Sequence, residues 1–411
     1  MQSRRLVLIS RRFWPLVGGA ERAMAGLAQE FQKMGHQVRV VTAKWESHWP
    51  AELVHREIPV TRLANPKTRG WGTYRYISGL KRWLGNHRLD YDAVLVSMLK
   101  HDAYAAIGTL GRFEKPVVVR AEGAGSTGDC SWHRTARFGT RIKNVCKTAS
   151  AMVAPSRRVE EELLESGFDS SKVHYVPNGV ELVDFKSDGA AAARFALADA
   201  HPILKVEPGE PLVVYTGRLD IQKGLLDLVD AWKWVAKAFP RGRLWLVGEG
   251  PDGQVIWDRI RESNQTCEVV MPGSFDEVTD VLAAADAFVL PSYQEGMSLS
   301  LLEAMAAEVP VVATDIPGNR ALIGDHRGRM CRVKDPEDLA RAILDTIQKS
   351  DQAHRMAKSA RQYVEENYSL SRMAQKHLEL IERQLSPSQG RSVPLEQSDR
   401  NSVDSNPEKG L

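Results

Sequence analysis

Two glutamates eight residues apart, Glu295 and Glu303, interrupt the otherwise small and apolar stretch EGMSLSLLEAMA. A carboxylate is a pure hydrogen-bond acceptor, suited to a ligand rich in hydroxyls. For Glu303 a structural role competes, because Ser300 to Glu303 spells S-x-x-E, a helix capping box. Glu295 has no such role: it follows the strand-like run AFVLPS and stands beside Gly296 just before the helical pattern. Upstream, YTGRLDIQKGLLDLVDA sets Arg218 and Lys223 around a turn, with Gly217 and Gly224 beside them. Two cations so spaced can clamp a diphosphate from both sides, and the alternative is surface charge at a turn.

Other strand ends carry weaker signals. Gly18 and Gly19 directly precede the helical pattern AERAMAGLAQEFQKMG. Glycine permits close backbone approach, and a helix N-terminus offers free N–H groups to a phosphate. The dinucleotide fingerprint G-x-G-x-x-G does not occur there. LWLVGEGP and MPGSFDEV also end apolar runs in glycine turns.

The elements that must position these residues alternate along the chain. Short apolar runs (5–10, 37–42, 92–97, 116–121, 150–155, 172–177) alternate with amphipathic stretches, and the pattern restarts at 211–217, 243–248, 267–273, 287–292 and 310–315. Such alternation predicts an α/β chain of two consecutive doubly wound, Rossmann-like domains. In open parallel sheets ligands sit beyond the carboxyl ends of the strands, where the charged residues above fall. We place the first domain at 1–183, a linker at 184–210 and the second domain at 211–366. A helix over 367–385 is expected to return to the first domain. The Ser-, Pro- and acid-rich tail, 386–411, is expected to be disordered.

At 411 residues and 43% hydrophobic content the chain is neither fibrous nor wholly disordered. No apolar run approaches membrane-span length, and the four scattered cysteines fit a reducing compartment, so a cytoplasmic location is expected. Charge is uneven. Residues 1–183 hold 28 Lys and Arg against 17 Asp and Glu, and the remainder holds 27 against 35. The basic first half is read either as ordinary solvated surface or as attracted to an anionic membrane face or a phosphorylated acceptor.

GRLDIQKG, LVGEGP and EGMSLSLLEAMA, in this order, together with VPNGVE and GGAE, resemble the retaining glycosyltransferases of family 4. The resemblance covers essentially residues 1–385 and implies the GT-B architecture, two facing Rossmann-like domains with a donor cleft between them. It implies transfer of a hexose-type sugar from a UDP- or GDP-sugar to a hydroxyl of a glycan or lipid-linked saccharide, with no metal, no other cofactor and no nucleic-acid partner. By that resemblance Arg218 and Lys223 hold the diphosphate, Glu295 meets the transferred sugar, and Glu303 binds the ribose. Gly296, Met297 and Ser298 then touch sugar or phosphate through their backbone, Gly18 and Gly19 let the first domain close, and Asn178 and Gly179 lie at the cleft.

This sequence departs from the family where many relatives have a histidine and it has Glu122, in VVVRAEGAGSTGD. A carboxylate cannot donate as imidazole can, so the sugar contact differs; His101 and His133 are the candidate substitutes. The D-x-D at Asp90 to Asp92 precedes a strand and reads as a turn. Retention has two routes: attack on the face the diphosphate leaves, which we favour, or a covalent intermediate on Glu122 or Asp129. The competing functions are a nucleotide-sugar epimerase of this architecture and a non-catalytic nucleotide-sugar-binding module.

Overall fold

The computed structural model describes residues 2–16, 18–68, 70–125, 128–182 and 189–385. The expected tail, 386–411, and the first residues of the expected linker lie outside the described residues.

The first half folds as an eight-stranded sheet: β1 (Arg5–Ile9), β2 (Gln37–Lys44), β3 (Glu52–His55), β4 (Ile58–Ala64), β5 (Ala93–Ser97), β6 (Val117–Arg120), β7 (Ala151–Ala154) and β8 (Val173–Tyr175). The spatial order is β3-β4-β2-β1-β5-β6-β7-β8, parallel except for β3 against β4. Runs such as AVLVS and AMVA are buried throughout because helices cover both faces. One face packs against α1 (Gly19–Lys33). The other packs against α2 (Trp71–Asn86), α3 (His101–Leu110), α5 (Gly139–Cys146) and α6 (Arg157–Glu165), with the short α4 (Asp129–Thr135) ahead of α5.

The hairpin β3–β4 is a finding beyond the sequence reading. Its strands are short, one contains Pro59, and charged residues break the apolar pattern of ELVHREIPVTRLA. Arg56 and Glu57 at its tip both take positive φ, 49° and 65°, the pairing that a tight two-residue hairpin turn needs.

A helix over Gly189–Ala200, α7, lies in the stretch read as linker. Its Ala193 and Leu197 join a cluster with Trp245 and Val281, so it covers the second sheet. That sheet has β9 (Leu212–Thr216), β10 (Arg243–Val247), β11 (Val269–Gly273), β12 (Ala287–Leu290), β13 (Val311–Thr314) and β14 (Arg329–Cys331), in the order β11-β10-β9-β12-β13-β14. The helices around it are α8 (Leu225–Ala238), α9 (Gly253–Glu262), α10 (Thr279–Ala284), α11 (Leu299–Ala306), α12 (Pro317–Ile323), α13 (Pro336–Gln348) and α14 (Ser350–Asn367).

The last helix, α15 (Leu370–Leu385), leaves this domain. Its buried Leu370, Met373, Ala374, Leu378 and Ile381 recur at helical spacing and join the core of the first sheet beside α1. Val180, after β8, bonds to Tyr368 and Leu370 through its backbone, so the two interdomain crossings run side by side.

Candidate active site

In each sheet the strand order reverses beside the first strand, and the crevice there is where a doubly wound fold receives ligands. In the second domain the reversal lies between β9 and β12. The turn after β9 supplies Arg218 and Lys223; the loop after β12 supplies Glu295. Gly224 locks the two segments together. It takes φ +69°, and a Cβ on it would overlap the carbonyl oxygen of Pro291. Tyr293 N–H donates to the Gln222 carbonyl at 3.0 Å. The result brings the Lys223 ammonium to 2.7 Å from Glu295 Oε1, which also accepts from the Ser292 hydroxyl at 2.7 Å. Arg218 stays 64% exposed and, among the described residues, pairs with Asp220 at 3.3 Å.

Helix α11 corrects one expectation. Its N-cap is Ser298, whose hydroxyl accepts from Leu301 N–H at 3.3 Å, so Ser300 is already inside the helix and Glu303 is not part of a capping box. The Glu303 carboxylate instead faces the other domain, where Arg22 Nη1 donates to both its oxygens at 3.1 and 3.2 Å. Burial pushes its pKa up, and Arg22 opposes the shift. Gly296 lies against the first domain: a Cβ on it would stand 3.3 Å from Ser156 Oγ. Met297 packs at the edge of the second core.

Across the cleft, Gly18 is the N-cap of α1, and a Cβ on Gly19 would stand 3.5 Å from Leu299 of α11. The hairpin tip adds a second ion pair between the domains, Arg56 with Glu277. Between the walls lies a cavity of about 440 Å³, lined by Glu21, Arg22, His55, Val278, Leu282 and Glu303 among others.

The first domain's wall is organised differently. Arg120, at the end of β6, is fully buried and donates to both Glu122 and Asn178. Ser97 Oγ donates to the same Glu122 oxygen at 3.3 Å. Asn178 is thus engaged within the protein, and its side-chain oxygen holds Arg120. Gly179 borders the cavity and closes on the backbone of Ser369 and Leu370. Asp129 accepts from Glu122 N–H at 2.8 Å, and burial raises its pKa to about 6. His133 is buried with Nε2 at 2.6 Å from the Leu99 carbonyl, a structural position. His101 is half-buried, its ring edge-on to Trp132 at 5.1 Å between centroids.

Lys223 and Glu295 therefore meet on one wall, with Arg218 on the turn after β9 and Gly296 and Glu303 on the segment that follows Glu295. Gly18 and Gly19 at the start of α1 and Glu122 after β6 belong to the other domain, and among the described residues the cavity is lined by Glu303 but not by Lys223, Glu295 or Glu122. Sequence reasoning missed Arg22 and Arg120. The signals were present: Arg22 follows the GGAE motif, and Arg120 is a lone charge ending the apolar run VVVR. Asp90 and Asp92 lie at the opposite end of the first sheet, where Asp92 pairs with Arg5 at 2.7 Å. Among the described residues no group of three or more His, Cys, Asp or Glu is placed to hold a metal, and no helix is long and apolar enough to cross a membrane.

Two parallel α/β domains facing across a charged cleft define the GT-B class of glycosyltransferases. Residues 17–184 match the model of Glycosyltransferase Family 4, and residues 198–363 match that of Glycosyl transferases group 1. The chain belongs to glycosyltransferase family 4. TuaC of Bacillus subtilis (strain 168), named for teichuronic acid biosynthesis, is 29% identical over 337 residues, 77% of this chain and 82% of TuaC. A Mycobacterium tuberculosis glycogen synthase is 28% identical over 232 residues, 56% of this chain, and the match spans 53% of its own length. The fold is shared with sucrose-phosphate synthase from Thermosynechococcus elongatus, with TM-score 0.76, 20% identity and coverage of 92% and 98% of the two chains. Anabaena HepE in complex with UDP and glucose gives TM-score 0.73 at 17% identity, covering 92% and 99%.

Proposed function

We propose that this glycosyltransferase moves a hexose-type sugar from a UDP- or GDP-sugar to a hydroxyl of a glycan or lipid-linked saccharide, with retention of anomeric configuration. The carrying observation is the meeting of Lys223 and Glu295 at 2.7 Å at the reversal point, with Glu303 in the helix that follows Glu295. Lys223 and the exposed Arg218 meet the diphosphate and balance the charge that grows on it as it leaves. Glu295 accepts from the sugar hydroxyls, and Glu303 exchanges Arg22 for the ribose hydroxyls. The acceptor oxygen attacks the anomeric carbon on the face from which the diphosphate departs. The bond to the phosphate oxygen breaks, and that oxygen takes the acceptor's proton. This route leaves Glu122 to hold a hydroxyl while tied to Arg120. Closure of the two walls excludes water that would otherwise hydrolyse the donor.

Peripheral contact with an anionic membrane belongs to the same proposal. Trp71, Tyr74, Arg75 and Arg82 of α2, Phe113 in the turn after α3, Arg137 and Phe138 just before α5, and Arg141 within it are all exposed. Sedimentation with anionic vesicles is expected at low salt and not at high salt, and salt-insensitive behaviour removes the basis.

A melting screen against nucleoside-diphosphate sugars tests the donor, since a ligand of the folded state raises its stability by mass action. A shift with a UDP- or GDP-sugar that Glu303→Gln weakens is expected. Release of an epimerised nucleotide-sugar in the absence of acceptor would count against transfer.

A further inference from the structure

The reaction has a second substrate, and the first domain's wall carries groups to recognise it. We propose that the acceptor is an anionic saccharide, held through a carboxylate or phosphate by Arg11, Arg12, Lys100 and His101 at the carboxyl ends of β1 and β5. This rests on the glycosyltransferase reading of the cleft.

The strands β1 and β5 are neighbours at the reversal point of the first sheet. Arg11 and Arg12 follow the first strand, and Lys100 and His101 open α3 after the other. Each cation is under-neutralised. Among the described residues Arg11 has no ion pair; its Nη2 donates to the neutral Asn65 and Thr73 at 3.2 and 2.8 Å, and its Nε is buried without a partner. Arg12 is 56% exposed and meets Glu21 only at 3.6 Å. Lys100 meets Asp129 only at 3.6 Å, and as N-cap of α3 it leaves the first helical N–H groups without a side-chain cap.

Burial raises the pKa of both Asp129 and Asp102, and it joins Arg11 and Lys100 in lowering that of His101 to about 4. A neutral imidazole can donate or accept beside an anion without adding charge.

Aromatic rings, the kind of surface that lines ligand sites, lie beside the cations. Arg11 lies 5.8 Å from the centroid of Trp45, and Lys100 lies 5.8 Å from that of Trp132. The cluster is also one step from the transfer centre. Asp129 accepts from Glu122 N–H, and the loop after Glu122 abuts the second domain beside Glu295: a Cβ on Gly125 would stand 2.8 Å from Gln294 Nε2, and one on Gly296 would stand 3.8 Å from Ala124. An acceptor anchored by its charge here presents a neighbouring hydroxyl toward Glu295. The arrangement makes the charge a specificity element, since a neutral sugar leaves the buried Nε of Arg11 and the ammonium of Lys100 without a close anionic partner.

Binding of methyl glucuronide, the phosphate ester of methyl glucoside, and methyl glucoside to the full chain saturated with UDP or GDP tests this by calorimetry. At least one anionic ligand is expected to bind about tenfold or more tightly than methyl glucoside, the scale of one charge-assisted hydrogen bond. Whichever anion wins identifies the source of the charge. Arg12→Gln and Lys100→Gln should each erase most of that preference, while the nucleotide-induced melting shift stays unchanged in both and the melting temperature stays unchanged in Arg12→Gln. Equal binding of all three ligands, binding of none, or competition of the anions with the nucleotide overturns the proposal. A missing nucleotide-induced shift sinks instead the glycosyltransferase reading beneath it.

Discussion

The two walls of the cleft handle charge in opposite ways. On the second domain's wall Glu295 pairs with Lys223, and Glu303 pairs with an arginine of the opposite domain; both are partners that a ligand can replace. On the first domain's wall Glu122 is tied to Arg120, which has no exposed surface and also holds Asn178. The difference follows from what each wall must do. On the proposed reading, groups that receive a diphosphate and a ribose need partners they can exchange, whereas the partly buried Glu122 carboxylate is fixed by the guanidinium of the buried Arg120.

The largest expected effect breaks the rigid wall. Arg120→Met removes the counter-charge of Glu122 and leaves Asn178 unpartnered, and it should destabilise the protein by about 3 to 5 kcal/mol, as breaking a buried ion pair does. Chemical denaturation measures it, and the double variant with Glu122→Gln should recover part of the loss. A single variant as stable as wild type contradicts the assigned rigidity.

Next comes the exchangeable wall. Lys223→Ala should lower turnover roughly 10²-fold with little change in melting temperature, because its partner Glu295 keeps the Ser292 hydroxyl. Steady-state kinetics with the donor found by melting screen checks this, and an effect confined to KM would make Lys223 a ground-state binder alone.

A smaller effect concerns Arg22. Burial raises the pKa of Glu303 and Arg22 holds it down. Arg22→Gln should therefore raise it further, so that nucleotide affinity begins to fall at a higher pH than in wild type. Titration calorimetry with UDP and GDP across pH 5 to 8 reads the profile, and superimposable curves dismiss the coupling.

The last effect separates the walls by pH. Asp129 is raised to about 6 in the folded protein from 3.8, so the folded state holds its proton more tightly than the unfolded chain does. The stability tied to that proton is fully present below pH 4 and is lost as pH rises through about 6. Asp129→Asn, whose side-chain oxygen can still accept from Glu122 N–H, should gain on wild type by roughly 2 kcal/mol between pH 4 and 7, at about 1.4 kcal/mol per pKa unit. A constant difference across that range contradicts the shift.

How much of this was legible in the sequence differs between the walls for a physical reason. The α/β class and two-domain architecture follow from buried apolar runs of strand length, which periodicity reports directly. Lys223 and Glu295 were legible because each stands beside a glycine in the segment that follows a strand, and the strand order then makes them neighbours. The pairings across the cleft were not legible. Whether Glu303 caps its helix or faces Arg22 depends on where the helix starts, and Ser298 rather than Ser300 proved to be the cap. The role of Arg120 was hidden because a charge at the end of an apolar run gives no sign of how deep it lies. The hairpin β3–β4 was hidden by its charged residues and Pro59, although its tip is what brings Arg56 to Glu277.

The most direct test of the division between walls is hydrogen exchange of the full chain with and without saturating UDP or GDP, since a bound ligand slows opening where it sits. Protection is predicted at residues 217–224 and 292–303 and in the first turn of α1, with exchange around Lys100, His101 and Glu122 unchanged. Protection confined to the first domain's strand ends, with 217–224 and 292–303 unaffected, would contradict the account.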